Sequence, residues 1–325
     1  MTHLLAACLL ASTLCMSACV TTAAQASDWP ERPIQIIVGV PAGGGLDTTA
    51  RIFAQALAKP LGQAAIIVNQ PGASGTLAVN DVIRSPPDGN KALIVSSLDV
   101  TAQLTTKVPT YDLRTSLRSI GLLVEFPYVI VSSKDSKIAS IGDLVSRAKA
   151  KPGDIAYGSA GVGSGNQILI EQVSDKLGIS LLHVPYRGNV PALTDLLSSQ
   201  ISLLADGVTT QMELARSGRV NAIAVTSRAR WPGLPNVPTL SETIPQFSFL
   251  YFIGFAVHAK TPENIVGILT KATGEALADE TLKRRFAEMG ARVAPAGPTE
   301  MNRLMGSQIE SLSPLVDRLN IKRGE

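Results

Sequence analysis

Cysteine, histidine and aromatic residues are scarce in this 325-residue chain, and each scarcity excludes a class of site. Cys8, Cys15 and Cys19 are the only cysteines, and only two histidines, His183 and His258, follow them. A thiolate metal site, a disulfide framework and a thiol nucleophile are therefore not expected beyond residue 19. Phe, Trp and Tyr make up 4% of the chain, which argues against base stacking and against the aromatic platforms of sugar sites.

Charged residues are absent from residues 1–26. The apolar run LLAACLLAS and the Ala-Gln-Ala sequence at 24–26 predict a secretory signal peptide cleaved before Ser27, although the usual basic segment at its start is missing. The sequence Met-Ser-Ala-Cys at 16–19 leaves open a second interpretation, in which Cys19 is lipidated and anchors the protein to a membrane. Both interpretations place the mature chain in the periplasm. No later segment holds 18 consecutive apolar residues, so a membrane-spanning helix is not predicted.

Basic residues are dispersed rather than clustered, and the net charge is only +3, so a nucleic-acid-binding surface is not predicted. Short apolar segments alternate with amphipathic ones, a pattern typical of an α/β fold with mostly parallel sheets. The predicted strands lie at 34–40, 65–69, 92–96, 154–158, 180–184, 201–205 and 221–226. The predicted helices lie at 48–59, 76–84, 141–150, 166–177 and 191–198, with a largely helical segment after 262.

Two glycine-rich loops lie between a predicted strand and a predicted helix: VPAGGGLDTT from residue 40 and GSAGVGSGNQ from residue 158. The first is not a Rossmann fingerprint, because Thr48 stands where the last glycine belongs. The second is not a P-loop, because Ser164 stands where lysine is required. A helix N-terminus attracts anions through its unpaired N–H groups and its partial positive charge. A small anion such as a carboxylate therefore fits both loops better than a nucleotide.

The two loops belong to a weak internal repeat. Each is followed by a helix that ends at a Leu-Gly pair, with Gly62 in the first copy and Gly178 in the second, and then by a strand. Two explanations remain open: any two strand–helix–strand units look alike, or two similar domains each offer a helix N-terminus to one shared cleft. The loops PGASGT, SSLD, PYRG and ADG also follow predicted strands, and ligands of open parallel sheets bind beyond the carboxyl ends of strands.

Serine catalysis has little support in the sequence. The G-x-S-x-G motif of a nucleophile elbow is absent. A catalytic triad would have to recruit His183 or His258, and both are predicted to be structural residues of apolar strands. An exported hydrolase that uses Ser159 or Ser164 with His183 is retained as the alternative from a different functional class.

Eight sequence blocks, in order along the chain, resemble the substrate-binding proteins of tripartite tricarboxylate transporters, also called Bug receptors. The resemblance extends from Trp29 to the C-terminal region. The blocks are WPERPIQIIVGVPAGGGLDTTAR, GQAAIIVNQPGASGT, PPDG, AKAKPGDIAYGSAGVGSGNQ, HVPYRGNVPALTDLL, SGRVNAIAVTS, LPNVPTLSE and GFAVHAKTPENIV.

This resemblance implies a periplasmic-binding-protein-like Venus flytrap, in which two α/β domains are joined by two crossing strands, at 128–133 and 250–258. Domain 1 would comprise residues 27–127 and 253–325, and domain 2 residues 128–252. The resemblance further implies a monomeric receptor without a cofactor, a metal or a catalytic residue. It would close around a small organic carboxylate by a population shift and deliver it to membrane subunits of a transporter. A receptor that feeds a sensor kinase is a further alternative, and the identity of the carboxylate is not predicted.

The residues implied to bind the ligand lie in loops after the predicted strands. They are Ala42, Gly43, Gly44, Asp47, Ser74, Thr76, Ser96 and Ser97 in domain 1, and Ser159, Gly161, Gly163, Ser164, Tyr186 and Asp206 in domain 2. Asp47 is also expected to cap its helix. Asp99 departs from the family pattern: it either faces the cleft, which would suit a ligand with an amino or amide group, or lies in a solvated loop.

Overall fold

The computed structural model describes residues 29–106, 110–294 and 297–321, so the predicted signal peptide and Cys19 lie outside the described residues. The strands are β1 (Ile34–Val38), β2 (Ala65–Asn69), β3 (Lys91–Ser96), β4 (Leu117–Ser132), β5 (Ala156–Ser159), β6 (Leu182–Pro185), β7 (Leu203–Gly207), β8 (Asn221–Val225), β9 (Leu250–His258) and β10 (Arg292–Val293). The helices are α1 (Gly45–Leu61), α2 (Thr76–Arg84), α3 (Ser97–Thr105), α4 (Leu113–Ser116), α5 (Ile141–Ala150), α6 (Gly165–Leu177), α7 (Asn189–Leu197), α8 (Val208–Arg216), α9 (Glu263–Ala278), α10 (Glu280–Glu288) and α11 (Pro298–Arg318). None of the helices within these ranges is long and apolar enough to cross a membrane.

Three parallel strands form the centre of each half of the molecule. β1 lies between β2 and β3, and β5 lies between β6 and β7. A helix connects each strand of a unit to the next, because parallel strands need a crossover connection. All strands of a unit run in the same direction, so their carboxyl ends lie at one edge of the sheet.

The long strands β4 and β9 join the two units. From Leu117 to Pro127, β4 pairs antiparallel with β9, whereas from Tyr128 to Ser132 it pairs with β7 and β8. β3 also pairs antiparallel with β9, and the strand order is β2-β1-β3-β9-β4-β7-β5-β6. The sheet is therefore mixed. The expectation of mostly parallel sheets is wrong, because β9 runs against the first unit and β4 runs against the second.

The apolar core is divided between two lobes. The clusters of the first lobe are built from residues 34–124 and 252–309, and those of the second lobe from residues 128–249 and 312–321. α11 takes part in both, since Met305 packs in the first lobe and Leu312 in the second. The end of α11 thus packs outside the lobe that holds the rest of the predicted domain 1. The domain boundaries themselves stay a prediction.

Candidate binding cleft

A cavity of about 240 Å³ lies between the two lobes. It is lined from the first lobe by Gly45, Leu46, Thr49, Leu98, Phe126, Tyr251 and Ile253, from the second lobe by Tyr128, Ala160, Ser164, Gly165, Asn166, Asn189, Asp206, Gly207 and Thr209, and also by Met289 and Ala291. Among these described residues, Asp206 alone has a charged side chain. The wall therefore combines apolar side chains with neutral hydrogen-bonding groups, as small-molecule sites do.

Within the described part of the chain, five helices begin at this cavity. α1, α6 and α7 contribute their first residues, Gly45, Gly165 and Asn189, while α3 and α8 contribute their second residues, Leu98 and Thr209. The first N–H groups of a helix have no partner within the helix and together carry about half a positive charge. Each of the five helices follows the carboxyl end of a strand, so the fold brings their N-termini together. This arrangement favours an anion.

The first glycine-rich loop is held by the buried side chain of Asp47. Its carboxylate accepts hydrogen bonds from the N–H of Gly43 (2.9 Å), from Nε of Arg51 (3.0 Å) and from Nδ2 of Asn69 (2.8 Å). Although burial raises the pKa of Asp47, these hydrogen bonds together hold it below its ordinary value. The carboxylate is thus directed at the loop and at β2, and Asp47 is not among the described residues that line the cavity.

The start of α1 corrects one expectation. The helix begins at Gly45 and its N-cap is Gly44, so Asp47 lies in the first turn and is not the cap. Glycine is itself a favourable N-cap residue, which allows the helix to begin before the aspartate. Ala42, Gly43 and Gly44 are exposed at the end of the loop.

The second glycine-rich loop is held by a neutral side chain. The N–H of Gly163 donates to Oε1 of Gln167 (2.7 Å), and Ser164 Oγ donates to the carbonyl of Gly161 (2.6 Å). Gly161 and Gly163 have φ values of 123° and 73°, a region that favours glycine. Ser164 is the N-cap of α6 and lines the cavity.

Ser159 and His183 form the pair that the hydrolase alternative requires, but the pair lies away from the cavity. Ser159 Oγ lies 2.6 Å from Nε2 of His183 and also accepts the N–H of Gly161 (3.1 Å). The Ser159 side chain is fully buried, and Ser159 is not among the described residues of the cavity wall. The ring of Tyr157 stacks on that of His183, and burial lowers the pKa of His183. These contacts fasten β5 to β6.

Ser96 and Ser97 connect α3 to β9. Ser96 is the N-cap of α3; its backbone N–H donates to Oδ2 of Asp99 (2.7 Å), and its Oγ accepts the hydroxyl of Tyr251 (3.1 Å). Ser97 Oγ accepts the N–H of Phe252 (3.1 Å). Asp99 is only 3% exposed, and burial raises its pKa to about 6. The interpretation of Asp99 as a solvated loop residue is therefore wrong, because the aspartate completes a buried capping box.

Three further predicted residues are not among the described residues that line the cavity. Ser74 belongs to a short 3₁₀ turn before α2, and the hydroxyl of Thr76 lies 3.4 Å from that of Tyr111. The hydroxyl of Tyr186 donates to Oδ2 of Asp195 (2.7 Å). Burial, together with this bond, raises the pKa of Tyr186 to about 12.

Ser164 and Asp206 are the predicted residues that the structure places in the cavity wall. Asp206 is 7% exposed, and its Oδ1 accepts Nδ2 of Asn189 and the N–H of Gly207, both at 2.8 Å. Burial raises the pKa of Asp206 above its ordinary value, while these donors oppose the shift. Most of the other predicted residues position the loops and helices that carry the wall. Their contact with a ligand stays a prediction.

The aromatic residues of the cleft were missed from the sequence. Phe126 stacks on Tyr251 with ring centroids 5.0 Å apart, and the Tyr128 ring lies 6.1 Å from that of Tyr251. Tyr128 is 8% exposed and lines the cavity, and its hydroxyl has no hydrogen-bond partner among the described residues. Burial raises its pKa well above the ordinary value, so the hydroxyl keeps its proton and can donate a hydrogen bond to a ligand. The available signal was the alternation of aromatic residues in EFPY, at the start of the predicted crossing strand.

A larger groove of about 1550 Å³ is lined by parts of α8, α10 and α11 and by residues 227–233 and 244–250. Its wall holds charges of both signs, and several of its arginines form ion pairs: Arg216 with Glu213, Arg230 with Glu242, and Arg303 with Glu300. Because these cations already have partners, the groove is a weaker candidate for an anion than the smaller cavity at the helix N-termini.

Comparison with known proteins places the chain among binding proteins. Residues 49–321 match the family model described as the tripartite tricarboxylate transporter family receptor. A UPF0065 protein of Bordetella bronchiseptica is 33% identical over 301 residues, which cover 92% of this chain and 89% of that protein. The structure of the periplasmic binding protein BugD has a TM-score of 0.78 and 32% identity, and the match covers 91% of this chain and 100% of BugD. MatC of Rhodopseudomonas palustris, solved with bound malate, has a TM-score of 0.78 and 27% identity over 89% of this chain and 100% of MatC. The fold class predicted from the sequence is confirmed.

Proposed function

The chain belongs to the tripartite tricarboxylate transporter receptor family, and we propose that it captures a small organic carboxylate in the cleft between its lobes and delivers it to membrane subunits of a transporter. The observation that carries the proposal is the convergence of five helix N-termini on one cavity. MatC, which was solved with malate, supports the same class of ligand.

A carboxylate suits the donors of this cavity. The first N–H groups of each helix supply neutral donors with a partial positive charge, and Tyr128 adds a hydroxyl in the cavity wall without a partner among the described residues. The negative charge of the ligand would therefore be stabilised by the dipoles of the helix N-termini rather than by a lysine or an arginine. The volume is several times the share of a water molecule, about 30 Å³, so a small acid and a few bridging waters fit together.

Capture proceeds by a population shift. A ligand that contacts both walls has more partners when the lobes are close together, so it favours the closed state. Tyr128 lies where β4 changes its pairing partners from the first lobe to the second. A ligand bound to its hydroxyl therefore contacts the connection between the lobes.

The proposal includes export by the segment 1–26 and no catalytic step. Ser159 is buried against His183, and Ser164 Oγ donates to a backbone carbonyl rather than to a base. The hydrolase alternative thus lacks a nucleophile that both faces the cleft and contacts a base among the described residues. No observation on the described residues favours a sensor-kinase partner over a transporter.

Thermal unfolding of the mature chain, with a panel of mono- and dicarboxylates, amino acids and aromatic acids, tests the proposal. A ligand at a hundred times its Kd stabilises the folded state by about 2.7 kcal/mol, so at least one acid is expected to raise Tm by several degrees. The absence of a shift with every acid would contradict carboxylate capture. Loss of an esterase or amidase turnover in Ser164→Ala would instead favour the hydrolase.

A pair of tyrosine variants tests the site. Tyr128→Phe removes a donor without a described partner, so we expect the affinity for the stabilising acid to fall about fivefold to tenfold while the Tm of the free protein stays unchanged. Tyr251→Phe is the matched control, because its hydroxyl is bonded to Ser96, and its loss should lower the free energy of unfolding by about 1 kcal/mol. Unchanged affinity in Tyr128→Phe would remove Tyr128 from the site.

A further inference from the structure

The charged side chain in the cleft wall, that of Asp206, carries a negative charge, as the proposed carboxylate ligand does. Asp206 follows the apolar part of β7 and precedes Gly207, the N-cap of α8. Its Oδ1 accepts two hydrogen bonds, and its Oδ2 accepts the hydroxyl of Thr210 (2.9 Å). A buried carboxylate opposes the binding of an anion, so its presence in this wall calls for a compensating role.

Asp206 begins a hydrogen-bond chain with a single direction. An ionised carboxylate only accepts, so Asn189 must turn its amide nitrogen toward Asp206 (2.8 Å) and its Oδ1 away from it. That oxygen accepts Nδ2 of Asn166 (2.8 Å). The Oδ1 of Asn166 in turn accepts the N–H of Ala160 (3.2 Å). Rotating either amide by 180° would place nitrogen against a donor and oxygen against an acceptor.

The two amides are therefore fixed at both ends. Each amide nitrogen carries two hydrogens, and one hydrogen of each is used within the chain. Asn166 and Asn189 both line the cavity, in the first turns of α6 and α7. The second hydrogen of each amide remains for a group inside the cleft.

We propose that Asp206 is a positioning residue for the ligand, whose carboxylate locks Asn189 and Asn166 with their amide N–H groups available to an anion. This inference rests on the proposed capture of a carboxylate. The charge of Asp206 is itself balanced by the N–H of Gly207, the Thr210 hydroxyl and the N-terminus of α8, which reduces its repulsion of the ligand.

The variant Asp206→Asn distinguishes two effects of Asp206: orientation of the asparagine amides and electrostatic repulsion of the ligand. Asparagine keeps the shape but can both donate and accept, so the chain loses its obligatory direction. If Asp206 acted only as a negative charge near an anion, its removal would tighten binding. If it positions the amides, the affinity for the carboxylate that stabilises the wild type should fall about tenfold, measured by calorimetric titration. Equal or tighter binding in Asp206→Asn would overturn the proposal.

Two further variants keep the test independent of folding. Asn189→Ala breaks the chain at its centre without changing any charge, and it should lose affinity to a similar extent. Thr210→Val removes a hydrogen bond from the same carboxylate but leaves the amide chain intact, so its affinity should stay within about twofold of the wild type. Normal binding by Asn189→Ala would contradict positioning, even if Asp206→Asn failed to fold.

The pH profile gives a readout that a merely structural role does not move. The titratable groups that face Asp206 are the phenols of Tyr128 on β4 and Tyr251 on β9, and burial raises the pKa of both, so neither titrates between pH 4 and pH 8. After correction for protonation of the ligand's own carboxylate, wild-type affinity should therefore fall when Asp206 gains a proton in acid, and this loss should be absent from Asp206→Asn. If the wild type binds no carboxylate at all, the proposed function fails; if it binds and the variants bind equally well, only the positioning role fails.

Discussion

The two halves of the molecule contain the same elements in the same order. The first half runs β1-α1-β2-α2-β3-α3 and the second β5-α6-β6-α7-β7-α8. In each half the first strand lies between the other two. The long helices α1 and α6 end at left-handed glycines, Gly62 with φ of 72° and Gly178 with φ of 61°. The weak repeat in the sequence therefore corresponds to a repeat in the structure.

The equivalence extends to the hydrogen bonds of the glycine-rich loops. The N–H of Gly43 donates to the third residue of α1, Asp47, and the N–H of Gly163 donates to the third residue of α6, Gln167. Both glycines have positive φ, of 91° and 73°. α1 has 17 residues and α6 has 13, a difference of four, or about one turn. A sequence alignment at the helix ends therefore places the loops one turn out of register.

The halves differ in where they place negative charge. In the first half Asp47 holds the loop, and Arg51 forms an ion pair with it outside the cavity. In the second half the neutral Gln167 holds the loop, and the acid, Asp206, lines the cavity without a cationic partner among the described residues. Similar backbones therefore carry a negative charge in different places. In the first half a carboxylate holds a loop, and in the second half a carboxylate lines the cleft.

The largest expected effect concerns the buried acid of the first half, Asp99. Its pKa is raised to about 6, so between about pH 4 and pH 6 the folded chain holds a proton that the unfolded chain has released. Stability should therefore fall as pH rises through this window. The loss should reach about 3 kcal/mol relative to Asp99→Asn, which lacks the titration. Urea unfolding of both proteins at pH 4 and pH 7 measures the difference. If the free energy of unfolding changed equally with pH in both proteins, the titration of a buried Asp99 would be contradicted.

Asp143 is the matched control for Asp99, because it occupies the same third position, in α5. It accepts the N–H of Ala139 (3.0 Å), but it is only half-buried, and hydrogen bonds from Ser140 and Ala139 lower its pKa. Its contribution is therefore present above its ordinary pKa and lost as pH falls. Asp143→Asn should cost more stability at pH 7 than at pH 3, which is the opposite sign to Asp99→Asn.

The next effect compares the two residues that hold the loops. Asp47→Ala leaves the N–H of Gly43 without its acceptor and removes one of the two acceptors of the Asn69 amide, the other being the carbonyl of Val40, at a cost of about 2 kcal/mol. Gln167→Ala removes one such bond, to Gly163, and should cost about 1 kcal/mol. The loss from Asp47→Ala should shrink in acid, because the lowered pKa of Asp47 makes its contribution fade as pH falls, whereas the loss from Gln167→Ala should not change. Denaturant unfolding at pH 7 and pH 3 reports both; equal, pH-independent losses would show that charge gives the first loop no distinct role.

Elements with strong local signals were predicted well. β2 and α2 have the same bounds in the sequence prediction and in the structure, because a glycine or a proline lies within three residues of each of their ends. α3 and α8 were missed because each begins at the residue directly after a strand, where the polar and glycine residues of SSLD and ADG indicated loops. The first part of β4 was missed because Gly121 and Pro127 argue against a strand interior. In the structure Gly121 lies at a shift of register and Pro127 at the change of pairing partner.

The site was only partly predictable for a related reason. Sequence patterns place loops at the carboxyl ends of strands, and this correctly indicated the edge of the sheet at which the cavity lies. They do not reveal which side chains turn inward, because the inward orientation of Tyr251 depends on the pairing of β9 with β4, and that of Tyr128 depends on the pairing of β4 with β7, strands that lie far apart in the sequence. The hydrogen-bond chain from Asp206 through Asn189 to Asn166 likewise joins the end of β7 to the starts of two helices.

The smallest expected effect tests whether equivalent positions of the two halves contribute equally to the free energy of unfolding. Gly62→Ala and Gly178→Ala place a Cβ at a left-handed residue, and no atom lies within 4 Å of either added Cβ. Only the backbone conformation is then penalised, so both variants should lose about 1 kcal/mol, by equal amounts within error. Gly274→Ala, at an exposed position inside α9 with equally open surroundings, should instead gain up to about 1 kcal/mol, because alanine favours a helix interior. Unequal losses at the two helix ends, measured by denaturant unfolding, would mean that the halves share a backbone path but not the stability of their repeated parts.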